Sequence, residues 1–386
     1  MTKDTNIPQG YKDSPLGIIP KDWEVKKISD FAPLQRGFDL PADKITAGAY
    51  PVVYSNGVLN SHIEYKAKGP GVVTGRSGTI GKVTYVESDF WPHNTSLWVT
   101  DFKGNNPKFV FYVYKYIGLS KFASGSGVPT LNRNDVHVSK VAVPPIEEQR
   151  QIIRVLELWD TAIEEQSKLI EKLNLRKRAL MQQLLTGKKR LPGFTEDWKE
   201  IKLGDIFDER NEINCDNLPL LSITSDKGVI YQSESDKRDI SNNDKSKYKR
   251  ICPNDIGYNT MRMWQGRSAL SDIEGIVSPA YTIVTPKESV DVRFMAMLIK
   301  QSRVVYDFWT HSQGLVSDTL NCKFPDFCQV KVRIPVKQEQ TAIADLFQKT
   351  DKEIELAKEK LANLQSQKRG LMQQLLTGKK RVIKSI

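Results

Sequence analysis

Residues 180–190 read LMQQLLTGKKR, and residues 371–381 repeat the same eleven residues. An internal repeat of this kind reveals the organisation of a chain before any single motif does. At the same offset of 191 positions, the match extends backwards through four pairs of identical residues: Pro144 and Pro335, Gln149 and Gln340, Asp160 and Asp351, and Lys177 and Lys368. The repeat therefore covers a whole segment of the chain.

A second correspondence opens each copy of the repeat. Asp22-Trp23 matches Asp197-Trp198 at an offset of 175, so the second copy carries 16 more residues in its middle, where the two sequences differ widely. We therefore predict four segments. They are a variable body at residues 1–143, a helical segment at 144–190, a second variable body at 191–333 and a second helical segment at 334–386.

Both helical segments carry the pattern of one long helix. Prolines stand at their starts, Gly187 and Gly378 stand at their ends, and apolar residues recur in alternating steps of four and three. This spacing is a heptad seam. The residues predicted to form the helix seam are Leu156, Trp159, Ile163, Leu173, Leu180 and Leu184 in the first segment, and Phe347, Ile354, Leu364, Leu371 and Leu375 in the second.

The two seams are predicted to pair with each other. A helix of about 35 residues is roughly 50 Å long, and one small body cannot cover it. Two similar helices related by a pseudo-twofold axis lie antiparallel. The predicted fold class is therefore α+β, with two mixed α/β domains joined by two long helices packed as an antiparallel coiled coil.

The bodies themselves read as mixed α and β structure. Short β-rich runs are interrupted by Gly, Pro, Asn and Asp, which favour turns. The predicted strands are 50–54, 71–74, 82–86, 96–99 and 275–284, and the clearest predicted helices are 106–117 and 292–309.

Composition points to a polyanionic partner. The 386 residues carry a formal net charge of +11, and nucleic acid is the simplest partner for such a chain. Residues 168–190 alone carry +7 and residues 359–381 carry +5, so the two bodies together are close to neutral. The basic helix ends suit contact either with DNA or with an acidic partner subunit.

Several classes of protein are disfavoured. The sequence has no apolar run long enough for a membrane helix and no secretory signal, so we expect a cytoplasmic protein with no membrane partner. Its four cysteines are expected to be reduced, and their spacing does not suit zinc. Residues 75–82 resemble a phosphate-binding loop, but Arg76 and Val83 depart from its pattern. We identify no catalytic constellation, no metal site and no cofactor site in this chain.

Side chains that can contact DNA occur in loops of both bodies. Arginine offers a bidentate fork to guanine or phosphate, and Asn or Gln can do the same for adenine. Such residues are also common in solvated loops. The candidates are Arg76, Ser77, Lys82, Asn132 and Arg133 in the first body, and Lys245, Lys247, Lys249, Arg250, Arg262, Trp264, Gln265 and Arg267 in the second.

The repeated motifs match those of a known family. The two helical segments are entered through VPPIEEQ at 143–149 and IPVKQEQ at 334–340, and both end in LLTGKKR. Residues 19–23 (IPKDW) and 191–198 (LPGFTEDW) are also similar to that family's. Over essentially its full length, the chain resembles the specificity subunit of type I restriction-modification systems.

The resemblance implies a non-catalytic subunit that reads DNA. In that family each variable body is a target-recognition domain for one half of a bipartite, asymmetric site in double-stranded DNA. The helix pair sets the gap between the half-sites and docks two modification (methyltransferase) subunits. It also implies restriction subunits that act as translocase and endonuclease, with S-adenosylmethionine, ATP and Mg bound in the partner subunits and not in this chain.

Two alternatives come from other classes of protein. A coiled-coil scaffold with two protein-binding bodies would show no salt-dependent DNA binding. A stand-alone nuclease or methyltransferase would turn over substrate as the pure chain. Neither explains why the helical segments match while the bodies diverge.

Overall fold

The computed structural model describes residues 7–125, 127–224, 227–235, 241, 244–314 and 320–382. By contact the chain forms two compact units, Met1–Lys168 with Glu359–Ile386, and Leu169–Lys358. Each unit therefore contains one body and one half of each long helix. In the described part of the chain, none of the helices combines the length and the apolarity that a membrane span requires.

The first body comprises short strands, three short helices and the start of a long one. Its helices are α1 (Ile28–Phe31), α2 (Pro107–Ile117), α3 (Arg133–His137) and α4 (Ile146–Leu184). Its strands are β1 (Tyr11–Lys12), β2 (Ile19–Pro20), β3 (Glu24–Lys27), β4 (Leu34–Arg36), β5 (Tyr50–Tyr54), β6 (Gly57–His62), β7 (Gly71–Gly75), β8 (Val83–Val86), β9 (Trp91–Pro92), β10 (Ser96–Val99), β11 (Ala123–Ser124), β12 (Thr130–Leu131) and β13 (Lys140–Val143).

The second body is built in the same way. Its strands are β14 (Lys199–Lys202), β15 (Phe207–Arg210), β16 (Leu221–Ile223), β17 (Val229–Tyr231), β18 (Lys249–Ile251), β19 (Ile256–Asn259), β20 (Ser268–Leu270), β21 (Gly275–Val277), β22 (Tyr281–Pro286) and β23 (Lys331–Ile334). Its helices are α5 (Leu203–Ile206), α6 (Val292–Leu298), α7 (Ser302–His311), α8 (Phe324–Gln329) and α9 (Lys337–Leu376).

A four-stranded antiparallel sheet of the same topology lies in each unit. Its strand order is β4-β10-β7-β8 in the first unit and β15-β22-β19-β20 in the second. A two-stranded pair then joins the start of each body to its end, β3 with β13 in the first and β14 with β23 in the second. The prediction of two repeated mixed α/β domains is confirmed.

Two predicted elements of the second body are each divided in two. The predicted strand 275–284 is two strands, β21 and β22, because the chain turns at Ser278, whose carbonyl accepts a hydrogen bond from Tyr281 N at 3.0 Å. The predicted helix 292–309 is two helices, α6 and α7, because Gln301 between them adopts an extended conformation. Apolar periodicity continues across both breaks, so it does not reveal them.

A buried glutamine fastens each long helix to its body. Gln149 Oε1 accepts a hydrogen bond from Asn106 N at 2.9 Å, and Gln149 Nε2 donates to Pro144 O at 3.0 Å. Gln340 makes the equivalent bonds, to Asp291 N at 2.9 Å and to the carbonyl of the proline five residues earlier at 2.9 Å. The fastening explains why this glutamine belongs to the repeated motif.

Ion pairs join α4 to the segment containing α9 in both units. They are Asp160 with Lys368 and Glu148 with Arg381 in the first unit, and Asp351 with Lys177 and Glu339 with Arg190 in the second. Within each unit, residue numbers rise along one helical segment as they fall along the other, so the segments are antiparallel, as predicted. Each pair in one unit has its repeat equivalent in the other.

The ends of the seam are part of the body cores. Leu156 and Leu375 belong to the core of the first unit, around Trp23 and Phe31. Leu184 and Phe347 belong to the core of the second unit. Residues nearer the middle of the helices, Leu173, Ile354 and Ala357, form a separate small cluster. The seam therefore packs against the bodies at its ends and against the other helix between them.

Candidate nucleic-acid interface

The connection between β7 and β8, residues 76–82, is here called the first turn. Arg76 N donates a hydrogen bond to Thr95 O at 2.8 Å, and Arg76 O accepts one from Leu131 N at 2.7 Å. The start of the turn is thereby held between the loop before β10 and strand β12. Its side chains are presented from a backbone fixed on both sides.

Both cations of the first turn are oriented by neighbouring carbonyl groups. Arg76 Nε donates to Asn94 O at 3.0 Å, and Lys82 Nζ donates to Asn56 O at 2.5 Å. Lys82 is exposed, whereas Arg76 and Ser77 are half-buried. The three predicted residues therefore lie along one turn, with Lys82 at its far end.

Asn132 and Arg133 lie beside the first turn, because the preceding Leu131 is hydrogen-bonded to Arg76. Asn132 Oδ1 accepts a hydrogen bond from Asn134 N at 3.0 Å and so caps α3. Arg133 is the first residue of that helix, and both Asn132 and Arg133 are exposed. The structure thus brings together the two groups of predicted residues in the first body, although the groups stand fifty positions apart at their nearest.

Residues that the sequence analysis did not select complete this surface. Tyr54 lies against His93, with ring centroids 4.2 Å apart, and His93 Nδ1 lies 2.9 Å from Thr95 Oγ1. Burial lowers the pKa of His93, so its imidazole is neutral at neutral pH. Asn56 and Asn94 hold the two cations of the turn through their carbonyl groups. In the sequence these residues are marked only by their position near the ends of predicted strands. That position does not reveal that the strand ends lie close together in the fold.

The connection between β19 and β20, residues 260–267, is here called the second turn. Thr260 N donates to Ala280 O at 3.2 Å, and Cys322 N donates to Thr260 O at 2.9 Å. This turn is therefore also held between two neighbouring segments. Its predicted residues are Arg262 and Trp264, which are half-buried, and Gln265 and Arg267, which are exposed.

The two turns occupy the same connection in sheets of the same topology. Each ends in a left-handed glycine followed by an exposed cation: Gly81 (φ +96°) and Lys82, and Gly266 (φ +70°) and Arg267. Such φ values favour glycine because a side chain would be strained there. The turns share no sequence beyond this pattern, so the shared position emerges only from the strand pairing.

The basic run of the second body, residues 245–250, is partly occupied by contacts within the protein. Arg250 pairs with Glu212 at 2.7 Å and Glu274 at 2.5 Å, and Lys249 lies 3.6 Å from Glu209. Lys245 Nζ lies 5.7 Å from the ring centroid of Tyr248. Lys247 is exposed. A DNA contact by this run stays a prediction, and Lys247 is its most accessible member.

The last arginine of each basic helical segment has partners within the chain. Arg190 forms a two-pronged pair with Glu339, at 2.7 and 2.5 Å, and Glu339 is fully buried. Arg381 pairs with Glu148 at 2.6 Å and with Asp22 at 2.7 Å. These arginines hold the ends of the helical segments in place. All of the predicted seam residues are buried or half-buried.

The described residues contain no group of three or more His, Cys, Asp or Glu side chains placed to hold a metal ion. The four cysteines are free thiols, and burial raises the pKa of the Cys322 thiol to about 12. That thiol is therefore protonated at neutral pH.

Comparison with known proteins places the chain in a family. A family model described as "Type I restriction modification DNA specificity domain" matches residues 20–175 and 195–366, once in each repeat. The putative type I restriction enzyme MjaX specificity subunit of Methanocaldococcus jannaschii is 23% identical over 97% of both chains. The type I restriction enzyme EcoprrI specificity subunit of Escherichia coli is 28% identical over 39% of this chain and 40% of its own.

Solved structures share the fold. The S subunit of a type I restriction-modification system from M. genitalium has a TM-score of 0.56 at 15% identity, covering 97% of this chain and 98% of that chain. A chain from a structure on complex assembly and conformational transition of the type I R-M system has a TM-score of 0.60 at 14% identity, covering 93% of this chain and 99% of its own. The resemblance inferred from the repeated motifs is confirmed, and the chain belongs to the type I restriction modification DNA specificity domain family.

Proposed function

We propose that each body reads one half of a bipartite, asymmetric site in double-stranded DNA, through the first turn in one unit and the second turn in the other. The observation that carries this proposal is the position of the turns. Loops selected independently for their Arg, Lys, Asn and Gln side chains occupy the same connection in two equivalent sheets. Because their sequences differ, the two half-sites are expected to differ as well.

The second part of the proposed function concerns the two helical segments, which are similar in the two copies of the repeat. We propose that the helix pair sets the gap between the half-sites and docks two modification (methyltransferase) subunits. Those subunits bring S-adenosylmethionine, while restriction subunits bring ATP-dependent translocase and endonuclease activity with Mg. The chain itself contributes recognition and not catalysis, and it acts in the cytoplasm. The repeat supports this division of labour, since two similar segments with the same eleven-residue end suit two copies of one partner.

Methylome sequencing tests the proposed function. We expect a new bipartite N6-methyladenine motif in cells that express this chain together with its modification subunit, and no such motif when either is missing. A stable and active complex that methylates no defined motif would overturn the proposal and favour a protein-binding scaffold.

A matched pair of variants tests which turn reads which half-site. Lys82→Ala and Arg267→Ala remove the equivalent cation from the first and second turn. We expect each change to relax or weaken the motif in a different half, because a lost base contact costs about 1–3 kcal/mol. Lys44→Ala, at an exposed site outside both turns, is the control. If both variants weakened the same half, or lowered affinity equally for unrelated sequences, the assignment of one turn to each half would be wrong.

A further inference from the structure

We propose that Tyr306 and Trp309 of α7 form an aromatic wedge that enters the DNA base stack at the half-site read by the second unit. This inference rests on the proposed function, because it requires DNA at the second turn. It adds two residues to the recognition surface. These residues would recognise the shape and deformability of the DNA, and not the edges of its bases.

The two rings are exposed on a well-anchored helix. Val304 and Phe308 of α7 are buried in the core of the second unit. On the opposite face, Tyr306 is 59% exposed and Trp309 is 47% exposed. Their ring centroids lie 5.5 Å apart with a tilt of 36°. The helix therefore presents one continuous aromatic surface to solvent while its other face is fixed.

The wedge adjoins the second turn. A Cβ built on Gly266 would lie 3.1 Å from Val305 Cγ2, so the end of this turn touches α7 directly. Trp309 follows Val305 by four residues and so lies on the same side of the helix. Trp264 is fixed inside the turn by a hydrogen bond from its Nε1 to Met261 O at 3.0 Å. Turn and wedge form one surface.

Two exposed arginines lie near the wedge, together with the half-buried carboxylate of Asp307 in α7. Arg303 is exposed and lies one helical turn before Tyr306, and Arg267 of the second turn is also exposed. Aromatic rings flanked by arginines combine phosphate contact with stacking on bases. Large apolar side chains inserted between base steps kink duplex DNA and contribute to its recognition by shape. We infer that DNA binds this aromatic face, because the face is continuous with the second turn and has exposed arginines beside it.

Among the described residues of the first unit, the equivalent position has no helix with two exposed aromatic rings. There the turn glycine, Gly81, meets Ser120, whose Cβ would lie 3.2 Å from a Cβ on the glycine. Ser120 belongs to a four-residue 3₁₀ turn, Leu119–Phe122, which replaces the ten-residue α7. The wedge therefore acts at one half-site only, and the other half-site is an internal control.

The test uses the full chain assembled with its modification subunits on duplexes that carry the mapped motif. Permanganate reactivity of thymines reports unstacked bases, and competition binding reports affinity. The variants are Tyr306→Ala with Trp309→Ala, which remove both rings from an exposed helix face, and Trp309→Phe, which keeps a ring. Tyr116→Ala removes an exposed tyrosine of the first unit as a matched control. Thermal denaturation confirms that each variant is folded.

We expect the double variant to lose roughly ten-fold or more in specific affinity, as loss of a stacked aromatic residue does. In the wild type, enhanced thymine reactivity should occur at the second unit's half-site, and it should disappear there in the double variant. Reactivity at the other half-site should be the same in both proteins. Trp309→Phe and Tyr116→Ala should behave as the wild type. If the wild type binds the motif and the double variant keeps both the affinity and the thymine reactivity of the wild type, wedge insertion is wrong and the proposed function stands. If the wild type binds no motif, the proposed function and wedge insertion are both wrong.

Discussion

Gln149 and Gln340 each connect a long helix to the body beside it through a nearly fully buried side-chain amide. Gln149 also donates to Asn105 Oδ1 at 2.9 Å, so its amide has three partners. A buried polar group that loses its partner costs more than an ordinary hydrogen bond contributes. This explains why the repeated motif contains a glutamine in both copies. In each copy, the glutamine satisfies buried polar groups where the long helix meets its body.

Gln149→Ala tests this role. We expect the variant to be less stable by about 2–3 kcal/mol, because it leaves the Asn106 amide and the Pro144 carbonyl without their partner. Urea denaturation followed by intrinsic tryptophan fluorescence measures the loss. Gln182→Ala on the exposed face of α4 is the matched control. A loss no larger than that of the control would contradict the fastening role.

At the scale of elements, the heptad seam separates buried from exposed apolar residues on α4. The seam residues Leu156 and Leu173 are buried, whereas Leu158 and Leu175 lie off the seam and are 71% and 61% exposed. Polar groups complete the seam where apolar ones are missing. Lys368 Nζ, on a side chain only 8% exposed, pairs with Asp160, which also accepts a hydrogen bond from Tyr112 at 2.7 Å.

Acid should weaken this junction through Asp160. Burial by itself would raise the pKa of Asp160, but the hydrogen bonds from Lys368 and Tyr112 outweigh it and hold the pKa below its ordinary value. A carboxylate with a lowered folded-state pKa stabilises the fold above its unfolded-state pKa of about 3.9, and this contribution is lost as pH falls through the folded-state value. The wild type should therefore exceed Asp160→Asn in stability by about 1 kcal/mol at pH 7, with no difference near pH 2.

Thermal denaturation between pH 2 and 7 measures this difference. The matched variant is Asp351→Asn, which removes the equivalent pair with Lys177, and that lysine side chain is 26% exposed. Its effect should be smaller, because solvent screens a more exposed pair. A difference between wild type and Asp160→Asn that stays constant across this pH range would show that Asp160 acts through shape and not through charge.

At the scale of the whole molecule, a repeated framework carries two turns of different sequence, which we propose as the surfaces that read DNA. The glutamines, the ion pairs and the glycines that end the helical segments recur in equivalent roles, and Gly187 and Gly378 would each place a Cβ within 3.3 Å of the tryptophan that opens a body. The turns between sheet strands do not recur in sequence. Such an arrangement lets recognition vary while the framework stays the same.

Lengthening the framework should change the gap in the DNA site and nothing else. Insertion of seven residues after both Gln166 and Ala357, which are repeat equivalents, keeps the heptad seam in register. It adds about 10 Å of helix, or roughly three base pairs of DNA. Methylome mapping should show a longer gap between unchanged half-sites.

Insertion in one helix alone is the control, because it shifts one seam past the other and separates pairs such as Asp160 and Lys368. We expect that variant to be destabilised and to methylate poorly. Changed half-sites, or an unchanged gap after the double insertion, would show that the helices do not set the spacing.

The repeat, the two long helices, their antiparallel pairing and the family could all be predicted from the sequence, because they depend on periodicity and on residues matched along the chain. Arg76 and Arg262 were also predicted, in turns that prove to be equivalent. Three features became visible only in the folded chain: the shared place of these turns in the sheet, the ion pairs of Arg250 with Glu212 and Glu274, and the aromatic helix face beside the second turn. Strand pairing and ion pairing join residues far apart in the chain, and local sequence patterns contain no information about such partners.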